Sequence, residues 1–253
     1  VNDLARSALD WWDEAGVDVL VEETPRDWLA PVRTGAGGRA ADARAPISVD
    51  TKAAAPWPSA PQGIDQDALP GDLAAFRTWL LADSALPGRL AARLDASGDP
   101  ASGTMVLLDM PEREDIAARR LLSGEIGDLF DRMLAAMGLT RDTIYLAPFS
   151  PARPPSGQLD VQAAHPLGIV QRHHLGLVRP RRLLLMGAAP TRALLGQDTS
   201  AARGRISACE IGGAALPTVA TFAPRFITQA VTPEDRKARR ATIWADLQVF
   251  MGL

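Results

Sequence analysis

The chain is poor in the residues that carry redox and metal chemistry. Cys209 is its single cysteine, and its 253 residues hold three histidines, one tyrosine and 5% aromatics. A lone thiol forms no internal disulfide and supplies no cysteine-rich metal or cluster site, so neither a metal nor a cofactor is expected. A reducing, cytoplasmic setting is the natural expectation. His173 and His174 are adjacent, and sequence neighbours do not share a helix face. With His165 they are read as exposed or half-buried helix residues. No run of about 18 apolar residues occurs, so no membrane span is expected. The first residues carry Asp3, Asp10, Asp13 and Glu14 without an apolar stretch, so no signal peptide is expected either. A net charge of −3 lacks the strong basic bias of many nucleic-acid-binding domains, although it leaves room for a local basic face.

What is present is globular: 47% hydrophobic and 23% charged residues, enough for one core and an extension. Leu4 to Ala15 reads as a helix with Leu4, Ala8, Trp11 and Trp12 on one face and Gly16 as its stop. Glu22 to Pro31 is short and acidic around Trp28. From Pro31 to about Pro70 the chain is rich in Ala, Pro and Gly and reads as a linker, irregular over Arg33 to Ser59, with Trp57 as a local anchor. The tryptophans Trp11, Trp12, Trp28 and Trp57 are read as anchors of this extension. Asp72 is placed to cap a helix through Asp83 with Leu73, Phe76, Leu80 and Leu81 inward.

After Gly103 the texture becomes regular. Strands are predicted at Thr104–Asp109, Thr143–Phe149, Arg182–Met186 and Leu216–Phe222. Helices are predicted at Gly124–Met137, Val161–Leu177, Ala189–Leu195 and Pro233–Met251. Apolar strands alternating with amphipathic helices predict an α/β class fold. Its form is a three-layer α/β/α domain over 103–253 with a central parallel sheet of about four strands. Residues 1–102 form a helical, Ala/Pro-rich N-terminal extension. The stretch from Met105 to Pro155 is the most informative: one β–loop–α–β unit whose loops at strand ends are chemically loaded, where open α/β sheets bind ligands.

The ordered set of motifs resembles a known family. It begins with Leu108-Asp109-Met110-Pro111-Glu112 after a strand and a helix opening Ser123-Gly124-Glu125-Ile126-Gly127. Gly138-Leu139 and Arg141, the Tyr145 strand and Arg153-Pro154-Pro155 follow. Then come Val178 to Gly187, Pro190 to Gly196, Arg203-Gly204-Arg205, Thr221-Phe222-Ala223-Pro224 and a last helix ending Ile243-Trp244-Ala245-Asp246-Leu247. From about Gly103 to Phe250 this is similar to the uracil-DNA glycosylase superfamily, in particular its bacterial iron–sulfur branch. The resemblance implies extrusion of a DNA base and cleavage of its glycosidic bond. Such chemistry needs a polar group to position water, a ring to stack on the base, an Asn to read it and a His to stabilise the departing anion.

Against that pattern the chain has lost groups. Asp109 is the candidate catalytic carboxylate, with capping of loop amides as the plainer reading. The base-pocket positions are Met110, Pro111, Leu122, Pro148 and Ala223. Leu122 stands where the stacking ring belongs, Pro148 replaces the Asn and has no donor, and Ala223 replaces the His. Glu112 puts bulk and charge where glycine would admit a ligand. Ala152 occupies the position of one cluster cysteine and the others are absent. Glu112, Glu114 and Asp115 read as a solvated acidic loop, with an acid–base cluster as the sharper alternative. The clusters Arg179/Arg181/Arg182, Arg203/Arg205 and Arg236 to Arg240 read as solvated faces, with a DNA-facing stripe as the alternative. Arg153 and Arg225, in loops at strand ends, are the candidates for DNA phosphate contact. Two functions stand: a degenerate member acting as a DNA-repair binding or accessory module, and a divergent glycosylase using Asp109 on another damaged base. DNA and a protein partner are the expected partners, with no membrane.

Overall fold

The computed structural model of the chain describes residues 64–84 and 86–253. The expected Leu4–Ala15 helix with Gly16, the acidic stretch around Trp28 and the irregular Arg33–Ser59 region with Trp57 lie outside the described residues.

Helix α1 (Leu73–Ala82) starts where Asp72 accepts a hydrogen bond from the Ala75 amide at 2.9 Å, and it buries Phe76 and Leu80. The chain leaving α1 is held by Arg93, which is fully buried. Its guanidinium donates to the carbonyls of Leu80 (3.1 Å), Asp83 (2.8 Å) and Leu86 (2.7 Å). One cation thus ties the last turn of α1 to the chain that leaves it.

Six strands follow: β1 (Ser97–Gly98), β2 (Thr104–Leu108), β3 (Tyr145–Pro148), β4 (Arg182–Met186), β5 (Ile206–Ile211) and β6 (Ala214–Thr221). Their order in one sheet is β1-β3-β2-β4-β6-β5. The four expected strands are its centre, and β3, β2, β4 and β6 all run parallel. Two antiparallel edges complete it, β1 against β3 and β5 against β6. Neither edge was predicted. β1 is two residues long, and β5 alternates exposed and shielded positions, without the continuous apolar run that marks the centre.

The helices between strands are α2 (Arg113–Ala118), α3 (Gly124–Ala136), α4 (Val161–Val178), α5 (Ala188–Leu195), α6 (Thr199–Ala202), α7 (Arg225–Thr228) and α8 (Pro233–Met251). Successive strand residues point to opposite faces, and the core divides accordingly. Met105, Leu107, Tyr145, Leu183 and Leu185 pack with Phe76 and Leu80 of α1, Leu167 and Val170 of α4, and Leu194 of α5. Val106, Leu108, Leu146, Leu184 and Val219 pack with Phe130 and Leu134 of α3 and with Ile243, Leu247 and Phe250 of α8. This is a three-layer α/β/α arrangement, and α1 shares its core.

From central β2 the chain crosses by α3, on one face, to β3 on one side. It returns by α4, on the other face, to β4 on the opposite side. After β4 it enters α5 on that second face. The loops after β2 and β4 therefore diverge and leave a crevice between neighbouring strand ends. Asp109 and Gly187 stand at its two lips.

Arg93→Met keeps the side-chain volume but removes the guanidinium donor from the buried carbonyls of Leu80 and Leu86. It should cost roughly 3 kcal/mol or more of unfolding free energy, read as a lowered urea midpoint. An unchanged midpoint would show that these carbonyls find other donors.

Candidate functional site

The crevice is organised by one carboxylate. Asp109, the residue after β2, is 5% exposed. Its Oδ1 accepts the Ala189 amide in the first turn of α5 at 3.1 Å, and its Oδ2 accepts Arg225 Nη2 at 2.6 Å. The charge thus rests on a helix N-terminus, where the backbone dipoles favour an anion. Gly187 makes this approach possible. Its φ is +123°, and a Cβ there would lie 2.1 Å from the Asp109 carboxylate. The Gly187 carbonyl is fixed in turn by the hydroxyls of Thr191 (2.6 Å) and Thr199 (3.1 Å). Burial pushes the Asp109 pKa up from the ordinary carboxylate value, against the opposing pull of Arg225 and of the α5 amides.

Arg225 has a second carboxylate. Its Nη1 meets Glu112 Oε1 at 3.0 Å, while Arg153 Nη1 meets Glu112 Oε2 at 3.0 Å and the Pro111 carbonyl at 3.2 Å. Asp109, Arg225, Glu112 and Arg153 form one connected, charge-balanced and largely buried network. The two arginines expected to face DNA are therefore turned onto carboxylates of their own chain.

Of the acidic loop expected to be solvated, Glu114 is exposed, while Glu112 and Asp115 are turned inward. Asp115 is fully buried. It accepts from the amides of Glu112 (2.9 Å), Leu122 (2.9 Å) and Ser123 (2.7 Å) and from the Ser123 hydroxyl (2.6 Å). The chain can fold back onto one carboxylate because Arg119 and Leu122 both take left-handed backbone angles, each with φ of 51°. Arg141 secures this turn through the carbonyls of Leu121 and Leu122, both at 2.7 Å. Gly127 is required beneath it, since a Cβ there would lie 2.0 Å from the Leu122 carbonyl. The Gly124-x-x-Gly127 spacing thus serves close packing of a helix against a loop.

Of the other base-pocket positions, Pro111, Leu122 and Pro148 are buried. Met110 lines a cavity of about 640 Å³ with Asp109, His165, Arg172, Arg192 and Arg225. Ala223 lines a neighbouring cavity of about 450 Å³, shared by Asp109, Arg225, Phe222 and Phe226. The loop carrying Ala223 and Arg225 is braced by Phe222 stacked on Phe226 at 4.3 Å, with Arg239 over the Phe226 ring at 4.5 Å.

Behind Pro148 lies a neutral relay. The Gln171 amide NH₂ donates to the carbonyls of Pro148 (3.1 Å) and Phe149 (3.0 Å). Its oxygen can then only accept, so His174 Nδ1 carries the proton across 3.2 Å, and His174 Nε2 accepts the Tyr145 hydroxyl at 3.0 Å. Burial pushes His174 down to about 3 and Tyr145 up to about 12, so both stay uncharged at neutral pH. His174 is therefore a core residue and not the half-exposed one expected. Its sequence neighbour His173 faces elsewhere, reaching the Pro70 carbonyl at 2.8 Å. Among the basic clusters, Arg203 is also not simply solvated. It pairs with fully buried Asp246 at 2.9 Å, and the Thr221 hydroxyl donates to the same carboxylate at 2.8 Å.

Two comparisons with known proteins bear on this chain. The profile of the uracil DNA glycosylase superfamily matches residues 96–248. The type-4 uracil-DNA glycosylase of Pyrobaculum aerophilum is 23% identical over 165 residues, covering 61% of this chain and 80% of that protein. The chain belongs to the uracil-DNA glycosylase superfamily. The residues present do not fit an iron–sulfur cluster. Ala152 is buried where a ligand cysteine would stand, and the one thiol, Cys209, is buried in β5. Among the described residues no helix is long and apolar enough to cross a membrane.

Sequence reasoning reached Asp109 and Arg225 but missed what Glu112, Asp115 and Gly187 do. For Gly187 the signal is its place between a strand and a helix, where glycine allows close backbone approach.

The pH dependence follows from the direction of the Asp109 shift. A folded-state pKa above the unfolded one means that the native state holds this proton more tightly. Stability from this group is then present below the unfolded value and lost as pH rises through the folded value. Relative to Asp109→Asn, wild type should lose stability as pH rises from about 4, measured by urea midpoints across the range. A difference moving in favour of wild type would show that Arg225 outweighs burial.

Proposed function

We propose that this chain is a DNA-associated, uracil-DNA glycosylase-like module that has lost efficient uracil excision and serves DNA repair as a binding or accessory component. The observation that carries this reading is the internally paired ionic network at the strand ends. Asp109 lines the cavity, but each of its oxygens already holds one donor of the chain, which leaves one acceptor position apiece for water or substrate, and its charge is paired with Arg225. The anion of a departing base needs a donor where Ala223 offers only a methyl group. The backbone at Pro148 presents no amide, and its carbonyl is engaged by Gln171. The loss of one such preorganised contact typically costs on the order of 2.7–4 kcal/mol of transition-state stabilisation, roughly a hundred- to a thousandfold in rate.

A second reading, a divergent glycosylase acting on another damaged base, is supported by the cavity of about 640 Å³ that reaches Asp109. Its size suits a small ligand, and Asp109 would position water there.

The deciding experiment measures excision from single- and double-stranded oligonucleotides carrying uracil or other damaged bases, alongside DNA binding. The proposal expects DNA binding without appreciable uracil release. Uracil release at rates typical of the superfamily would overturn it. Release of another base, abolished by Asp109→Asn, would establish the second reading.

A further inference from the structure

Arg153, in the loop after β3, and Arg225, the first residue of α7 after β6, stand 72 positions apart in sequence. They meet on one group, each donating a guanidinium N–H to a different oxygen of Glu112 at 3.0 Å. Two planar cations gripping separate oxygens of one anion is the geometry by which arginines hold carboxylates and phosphates alike. The anion they hold belongs to the same chain. It is also held in place from behind, because the Glu112 amide donates to fully buried Asp115 at 2.9 Å. The main chain therefore presents the carboxylate to the arginines, and the contact is not the chance meeting of long surface side chains. All three side chains are mostly buried, Glu112 at 12% exposed, Arg153 at 16% and Arg225 at 19%.

We infer that Arg153 and Arg225 form a seat for a phosphodiester group of a DNA strand, and that Glu112 is an internal plug occupying that seat. A phosphodiester carries the same single charge and offers two unsubstituted oxygens to the same two donors. While Glu112 is in place it satisfies both arginines and opposes an incoming phosphate by charge. A strand then binds wild type without this contact and with lower affinity. Arg225 also grips Asp109 through its other terminal nitrogen, so the seat remains tied to the crevice when the plug leaves. This inference rests on the DNA-associated reading above and assigns the residue that limits it.

The test compares wild type, Glu112→Gln and Glu112→Ala for binding to a fluorescein-labelled single-stranded oligonucleotide by anisotropy, over a series of salt concentrations. Thermal melts confirm that each variant folds. Removing the plug should tighten binding roughly tenfold at low salt, the worth of one charge-assisted contact. It should also steepen the dependence of log K on log salt by about 0.7, the signature of one further phosphate contact on a single strand. Adding Arg153→Gln to either variant should remove both changes. Glu112→Gln keeps the side-chain shape, so it decides the matter if Glu112→Ala melts early. Inorganic phosphate, compared with chloride at matched ionic strength, separates a strand-binding seat from a small-anion site. Tighter binding of phosphate without tighter binding of the oligonucleotide would overturn the inference. DNA binding by wild type that neither variant improves would overturn the plug and leave the function standing. Absence of DNA binding by all three proteins would overturn both.

Discussion

The arrangement of the crevice depends on how Asp109 is held. A carboxylate this deeply buried survives only with compensation on every side. Each support comes from a different part of the fold: an amide from the first turn of α5, a guanidinium from the loop after β6, and space from a glycine after β4. These elements meet because β2 and β4 are neighbours in the sheet and their following segments leave in different directions. Once Arg225 is fixed by Asp109, its second terminal nitrogen points to Glu112, and Glu112 brings in Arg153. The fold thus turns a single buried charge into a four-residue network across the mouth of the site.

Two polar systems lie side by side and differ in kind. The Asp109 network is ionic and opens onto cavities. The Tyr145–His174–Gln171 relay is neutral and dry, and it ends on the carbonyls at the tip of β3. Within it every polar group has its partner, so it adds definition to the core without burying a charge. Together they leave the end of β3 and the loop after β2 presenting groups that already have partners.

Much of the fold was legible from the sequence. The four central strands announce themselves as apolar runs because both of their faces are covered, and α3, α4, α5 and α8 follow their predicted bounds within a residue or two. The edge strands did not, since β5 shields only alternate positions and β1 has just two residues. The site was legible where a motif named a residue, as at Asp109, and illegible where burial arose from tertiary geometry. Nothing local to Asp115 shows that the chain doubles back at Arg119 and Leu122 to bring four donors to it. The adjacent pair His173 and His174 divides between the helix edge and the core, and only the position of Tyr145 on β3 decides which is buried. Arg153 and Arg225 read as free cations because their partners, Glu112 and Asp109, lie far away in sequence.

The central claim is that the four charged side chains act as one coupled network. A double-mutant cycle on folding stability tests it most directly, using Glu112→Gln, Arg225→Gln and the pair. Independent groups would give additive effects, within about 0.3–0.5 kcal/mol. A coupled, mostly buried pair should depart from additivity by about 1 kcal/mol or more, with each single change costing more than its share of the double. Departure of that size and sign is the result expected. Additivity would mean that Glu112 and Arg225 lie close together without depending on each other, and the account of a coupled ionic network would fail.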